Sequence, residues 1–297
     1  MSSIKLMGGA LALSMAISSV SYGDTTITLP DVNAEIYGKL NYHAYYNENT
    51  SGTATWKSGN NASRIGLSIS EGGDIKAVGK IEVGVNIDDS GSDTFSSRLA
   101  YLGVEGPLGS ATIGRQNSVF TSITGATDVF NVYGSNADQN QGSRISNTLV
   151  IKKDIGSASV SSMIQMDGAD GNKDIDKYET AVGIGPVSVG YAKDNNTEID
   201  YMAISGSHDL GDVAISAAYS IKDNAGTETK GYEVVAQYDS ISVGYGEIVD
   251  GDSFITAGID HSLTAAFAVY AEYQLEQNVS SSEEDQNNYA VGAKVVF

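Results

Sequence analysis

From Asn287 to the terminal Phe297 the chain reads NNYAVGAKVVF. Tyr289, Val291, Ala293, Val295 and Phe297 fall on one side of a period of two, and Ala290, Gly292, Lys294 and Val296 fall on the other. Side chains alternate faces along an extended backbone, so this segment reads as a β-strand with one almost wholly apolar face. A strand in a water-soluble domain can look the same. The constraint comes from repetition: the alternation recurs along nearly the whole chain, and no long helical period competes with it. The fold class is therefore all-β.

Sixteen segments carry the alternation: residues 34–46, 62–70, 74–88, 95–105, 110–115, 144–151, 157–166, 177–184, 186–193, 199–208, 212–222, 229–239, 241–249, 253–261, 265–276 and 287–297. Their connections alternate in kind. One set is short and glycine-rich (71–73, 106–109, 152–156, 185, 209–211, 240, 262–264), as hairpin turns are. The other is longer and polar (47–61, 89–94, 116–143, 167–176, 194–198, 223–228, 250–252, 277–286). An even number of antiparallel strands, with short turns on one rim and long loops on the other, is the pattern of an outer-membrane barrel.

The faces sort the same way. Ile75, Ala77, Gly79, Ile81, Val83, Val85 and Ile87 share one face, and Lys76, Lys80, Glu82 and Asn86 the other. The polar faces are too long and numerous for a small packed interior, whereas about sixteen strands close around an aqueous lumen. The apolar side then faces lipid, and closure is required because unpaired backbone groups in hydrocarbon cost several kcal/mol each. The mean hydropathy of -0.14 is too polar for helical spans but suits a barrel with one wet face. Tyr37, Tyr42, Tyr46, Tyr191, Tyr201, Tyr238 and Tyr245 are candidates for the girdle or rim, Tyr37 having inward parity.

The amino terminus stands apart. Lys5, the apolar run 6–17 and the small residues up to Gly23 read as a secretory signal peptide over residues 1–23, leaving the barrel to 24–297. After Gly23 no run approaches eighteen apolar residues, which excludes helical spans. The formal net charge is -20, so the basic footprint of a nucleic-acid binder is missing. Without cysteine there are no disulfides and no thiol chemistry. No HExxH, GxSxG or P-loop occurs, and His43, His208 and His261 fall on separate strands without ligand spacing. The acidic stretch DGADGNKDIDKYE at 167–179 lacks an EF-hand pattern and reads as solvated loop charge. Neither an enzyme, nor a cofactor, nor a dedicated metal site is expected.

Residues 116–143 have no strand pattern. A loop of that length inside a compact fold is functional or disordered. It contains Val119, Phe120, Ile123, Val129, Phe130, Val132 and Tyr133, residues suited to packing against a barrel wall. Such a loop, folded into the lumen, would narrow it. Lys39, Arg64, Arg98 and Arg144 lie on separate strands with inward parity, and Asp128 lies on the loop. Opposed in this way they would set a transverse field at the narrowest point, orienting polar solutes and disfavouring apolar ones, while an acidic vestibule attracts cations. Arg115 shares its parity with Ala111 and Ile113 and is assigned to neither side.

Over residues 31–297 the chain resembles a general diffusion porin of Gram-negative outer membranes. AEIYGKLNYHAYY at 34–46 resembles the family's first strand, with Lys39 in its YGK position. SRIGLSIS at 63–70 brings Arg64, SRLAYLGVEGPLGSATIGRQ at 97–116 brings Arg98, and SRISNTLVI at 143–151 brings Arg144. TDVFNVYG at 127–134 resembles the tip of the family's constriction loop, though Asn131, Val132, Tyr133 and Gly134 stand where Pro-Glu-Phe-Gly is frequent. Asp128 keeps one expected acid and Val132 replaces the other. The resemblance implies a pore constriction of Lys39, Arg64, Arg98, Arg144 and Asp128, with Phe120, Phe130 and Tyr133 packing the loop. It implies a homotrimer in outer-membrane lipid and lipopolysaccharide, assembled by barrel-assembly machinery that reads Phe297. The function it implies is passive diffusion of small hydrophilic solutes and ions; the preference for cations is expected from the acidic vestibule. The alternatives are a sugar- or anion-selective channel of the same fold, a structural or adhesive surface barrel, and a barrel enzyme.

Overall fold

A computed structural model describes residues 32–48, 53–87, 94–167, 173–277 and 285–297. The expected leader lies outside them, as do parts of four expected outer loops. Almost everything described is strand: β1 (Asn33–Glu48), β2 (Ala54–Asn60), β3 (Arg64–Gly72), β4 (Lys76–Val85), β5 (Phe95–Gly106), β6 (Gly109–Asn117), β7 (Arg144–Ile155), β8 (Ala158–Gln165), β9 (Lys177–Ile184), β10 (Val187–Asp194), β11 (Ile199–Leu210), β12 (Val213–Asn224), β13 (Thr227–Tyr238), β14 (Ile241–Ile248), β15 (Ser253–Ser262), β16 (Phe267–Gln277) and β17 (Gln286–Val296). The one described helix, α1 (Thr121–Thr124), and the 3-10 turn Gly125–Thr127 both belong to the loop between β6 and β7.

Apart from β2 and β3, strands adjacent in sequence pair antiparallel, and β1 pairs with β17, so the sheet closes on itself. Seventeen strands occupy sixteen places, because β2 and β3 both pair with β1 and run end to end. Residues 54–60, expected as loop, are therefore strand. Between the pairs Tyr42↔Asn60 and Lys39↔Arg64, β1 spends two residues and its partner three. The extra residue is a bulge at Ala62, whose φ is 51°. The connection expected over 223–228 also proves shorter. β12 and β13 are joined by Ala225 (φ 51°) and Gly226 (φ 90°) alone, the left-handed pair that a two-residue hairpin requires.

Closure ends at the carboxy terminus. The Gly38 amide donates to the Phe297 carbonyl at 2.7 Å, and the Phe297 amide donates back to the Gly38 carbonyl at 3.0 Å. The Phe297 ring covers Gly38 so closely that a β-carbon there would stand 2.4 Å from it.

The barrel is inverted relative to a soluble protein. Outward residues such as Ile81, Leu102, Ile113, Val189 and Ile204 are exposed, while Asn41, Glu82, Glu179, Glu233 and Glu272 are buried on the inner face. This is the apolar-out, polar-in alternation of a sheet between lipid and water. Tyr42, Tyr238 and Tyr245 are exposed, and Tyr46 packs beside Trp56 and Tyr289. Two of the candidate girdle tyrosines lie inside instead. Tyr37 donates to Glu82, and Tyr201 is buried against Phe120. Parity placed Tyr37 inward already; for Tyr201 the neighbours Met202 and Ile204 take the outward face.

Candidate functional site

Three sheet irregularities lie beside the inward basic residues. Arg64 follows the bulge at Ala62 and donates to its carbonyl. In β5, Leu99 pairs with Glu82 and Ser97 with Val83, leaving Arg98 as the unpaired extra residue. In β7 the register shifts against β6 between Gly114 and Gln116, and Asn147 has φ 58°. A bulge breaks strict alternation and re-aims side chains. Here it turns Arg98 onto Glu82, at 2.5 Å, with Arg64 reaching the other carboxylate oxygen at 3.6 Å. The Tyr37 hydroxyl donates to Glu82 at 2.9 Å. Lys39 is paired across strands with Arg64 and lies within electrostatic reach of Arg98, Lys294 and Asp128. Arg144 is within reach of Arg64, Arg98 and Arg115. Arg115 itself stands at the loop root and donates to the Ser146 hydroxyl at 2.7 Å.

The loop between β6 and β7 lies against the inner wall and is held there by three glutamates. Glu179 on β9 accepts from the Ser118 hydroxyl, the Phe120 amide and Gln141. Glu233 on β13 accepts from Thr127 at 2.5 Å and from the Ala137 amide at 3.0 Å. Glu272 on β16 accepts the successive amides of Asn131, Val132 (2.8 Å) and Tyr133 (3.1 Å). Each carboxylate takes up donors that an irregular segment would otherwise leave unsatisfied, and bonds to ionised acceptors are about twice as strong as neutral ones.

Apolar contacts seat the same loop. Phe120, Ile123 and Val119 are buried with Ile145, Met163 and Tyr201. The Phe130 ring lies over Gly244 and Gly258, and Ile123 lies over Gly190. Any β-carbon at Gly190 or Gly244 would fall within 3 Å of those side chains, so the wall glycines make the space the loop fills. Tyr133 is buried and donates to Asn47 at 2.7 Å and to the Tyr289 carbonyl at 3.0 Å.

Asp128 is exposed on the loop, with Lys39 and Glu233 in its surroundings. Although it is open to the lumen, the surrounding wall and loop strip part of its solvation, and this, then the Glu233 charge, raises its carboxyl above the usual range. Asp138 is pushed up to about 6, chiefly by burial and then by Glu233 and Asp128. The arrangement is a polar lumen with a fixed loop across it, arginines on the β3–β7 wall and an acid on the loop. Among the described residues no group of metal ligands is assembled.

A family model described as Gram-negative porin matches residues 10–297. The chain belongs to the Gram-negative porin family. The porin is thus a non-enzymatic channel of the Gram-negative outer membrane, built as a transmembrane β-barrel. None of the curated proteins compared with it matches its sequence. Among solved structures, the anion-selective porin from Comamonas acidovorans aligns with TM-score 0.73 and 18% identity, covering 90% of this chain and 100% of that one. OmpF of Salmonella typhi, in complex with daunomycin, aligns with TM-score 0.70 and 18% identity, covering 89% and 97%. In vitro folded OmpT of Vibrio cholerae gives 0.69 and 17%, covering 90% and 99%. These likenesses are of fold.

In this porin the four basic residues named from sequence stand in one cluster. The sequence reading did not pick out Lys294, which pairs with Asp260 at 2.8 Å and donates to Asn131 on the loop at 2.9 Å. It also passed over the anchoring role of Glu179, Glu233 and Glu272. Their one sequence signal is a carboxylate at inward parity in strands whose outward face is apolar.

Proposed function

We propose that this porin is a non-specific, water-filled channel for the passive diffusion of small hydrophilic solutes and ions. Lys39, Arg64, Arg98, Arg144 and Asp128 form its constriction, and Phe120, Phe130 and Tyr133 seat the constriction loop. The observation that supports this most directly is the clamp of Glu179, Glu233 and Glu272, which holds residues 118–141 across the lumen instead of letting them leave it. The 1–23 leader is removed on export, and the mature chain is a homotrimer in lipid and lipopolysaccharide whose assembly machinery reads Phe297.

The finer proposal is a cation preference. It rests on the net charge of -20, which raises cation concentration near the mouths. A second reading, anion preference, is favoured by one specific observation: on the wall facing the loop, the cluster of Lys39, Arg64, Arg98 and Arg144 has Glu82 as its carboxylate partner.

Planar-bilayer recording tests both levels. Folded, heat-modifiable protein is expected to insert in discrete conductance steps. Repeated absence of conductance from such protein ends the channel reading. The sign of the reversal potential across a KCl gradient decides between cation and anion preference.

A further inference from the structure

Below the loop root, on the short-turn side, the inner wall of β1 and β3–β7 encloses a recess of about 630 Å³. Gln116 and Asn117 line it where the loop departs. Its charged lining is Lys76, Lys80, Lys152, Glu35 and Glu105. The register orders these groups. Lys76 stands opposite Glu105, Glu105 opposite Ser110, and Ser110 opposite Lys152, which makes one lateral row across four strands. A second row runs from Glu35 through Ser68 and Lys80 to Tyr101. The Lys80 ammonium lies 4.5 Å from the centre of the Tyr37 ring, whose hydroxyl is bonded to Glu82 in the basic cluster.

Two features set this wall apart. Cations outnumber carboxylates, and Lys76, Lys80 and Lys152 form no ion pair with a described residue although Glu35 and Glu105 share the recess with them. The recess also continues the arginine side of the lumen, so the positive wall does not end at the loop. Ammoniums without an ion pair on β4 and β7, around one recess, present several donors to one multiply charged anion, and partly enclosed charges are screened less than surface ones.

We propose that this recess is a binding station for small multivalent oxyanions, with Lys76, Lys80 and Lys152 as its ligands. The inference rests on the channel reading. Anions that clear the arginines are held briefly there before release at the short-turn rim, which is the periplasmic side of an outer-membrane barrel. The chemistry is common to polycarboxylates and phosphates.

The test uses the full-length protein in planar bilayers, with conductance in KCl measured first. A protein that does not conduct fails the channel reading; a conducting protein isolates the recess. Citrate, pyrophosphate and equimolar sucrose are then added separately to each side. Flicker block by citrate or pyrophosphate and not by sucrose is expected. It should appear at several-fold lower concentration from the short-turn side and weaken as KCl rises. The K76Q/K80Q/K152Q variant should need at least tenfold more anion for the same block while keeping its heat-modifiable fold. Unvaried protein that citrate and pyrophosphate affect no more than sucrose overturns the proposal. So does a folded triple variant that is blocked as well as the parent. Sidedness and salt dependence are read on the unvaried protein, so the proposal stays testable if the variant does not fold.

Discussion

The carbonyl oxygen of Ala137 lies 1.7 Å from the point where a β-carbon on Gly231 would stand. Wall and loop approach there to a distance that only glycine permits. The same loop residue donates its amide to Glu233, two positions along β13. Close approach and hydrogen bond together fix how far the loop reaches into the lumen.

Gly231→Ala is therefore expected to push the loop inward or detach it. Overpacking of this kind destabilises by about 1–3 kcal/mol. Single-channel recordings should show altered conductance with more open-channel noise, and the heat-modifiable transition should fall in temperature. Gly73→Ala, where a β-carbon would meet nothing within 4 Å, should leave both unchanged.

Removal of Glu272 takes the acceptor from three consecutive loop amides. An unsatisfied buried donor costs about 1–3 kcal/mol, less whatever lumen water recovers. Glu272→Ala should loosen the 131–133 segment and speed its proteolysis in folded protein. Glu179→Ala should loosen the 118–120 root instead. Mapping of the first cleavage site separates the two.

Glu82 is the shared partner of Arg98 and Arg64. Glu82→Gln strips that charge and leaves the arginines to chloride and water. The reversal potential should shift toward chloride permeability, with a stability loss of about 1–3 kcal/mol. Asp128→Asn should shift it in the same direction from the loop side. An unmoved reversal potential would remove Asp128 from the constriction.

Asp138 carries the pH dependence. Its carboxyl is pushed up to about 6 from an ordinary 3.8 by burial, with Glu233 and Asp128 adding to the rise and Asn140 and Thr124 opposing it. A raised carboxyl binds its proton more tightly in the folded loop than in the unfolded chain. That stabilisation is complete below about pH 4 and is lost as pH rises through about 6. Acidification from pH 7 to 5 should thus tighten the loop and reduce cation permeability with a midpoint near 6. Asp138→Asn should flatten that step.

The sequence by itself determined the closed sheet. A period of two over most of the chain, with apolar residues on one parity, leaves the backbone only one arrangement in which every amide is paired and the two faces meet different solvents. Lys39, Arg64 and Arg144 were legible on that account and through family resemblance; Arg98 shares the parity of the outward Leu102 and Val104, so only the resemblance pointed to it, and the bulge turns it inward. The tertiary structure decided everything that depends on broken alternation or distant approach. Bulges beside Arg64, Arg98 and Arg115 shift register by one residue, which a strict parity count does not detect. Glu179, Glu233 and Glu272 are far from the loop in sequence, and only closure of the barrel brings them to its amides. Parity tells which face a side chain takes; what stands opposite it across a lumen is set by where the wall curves and where the loop comes to rest.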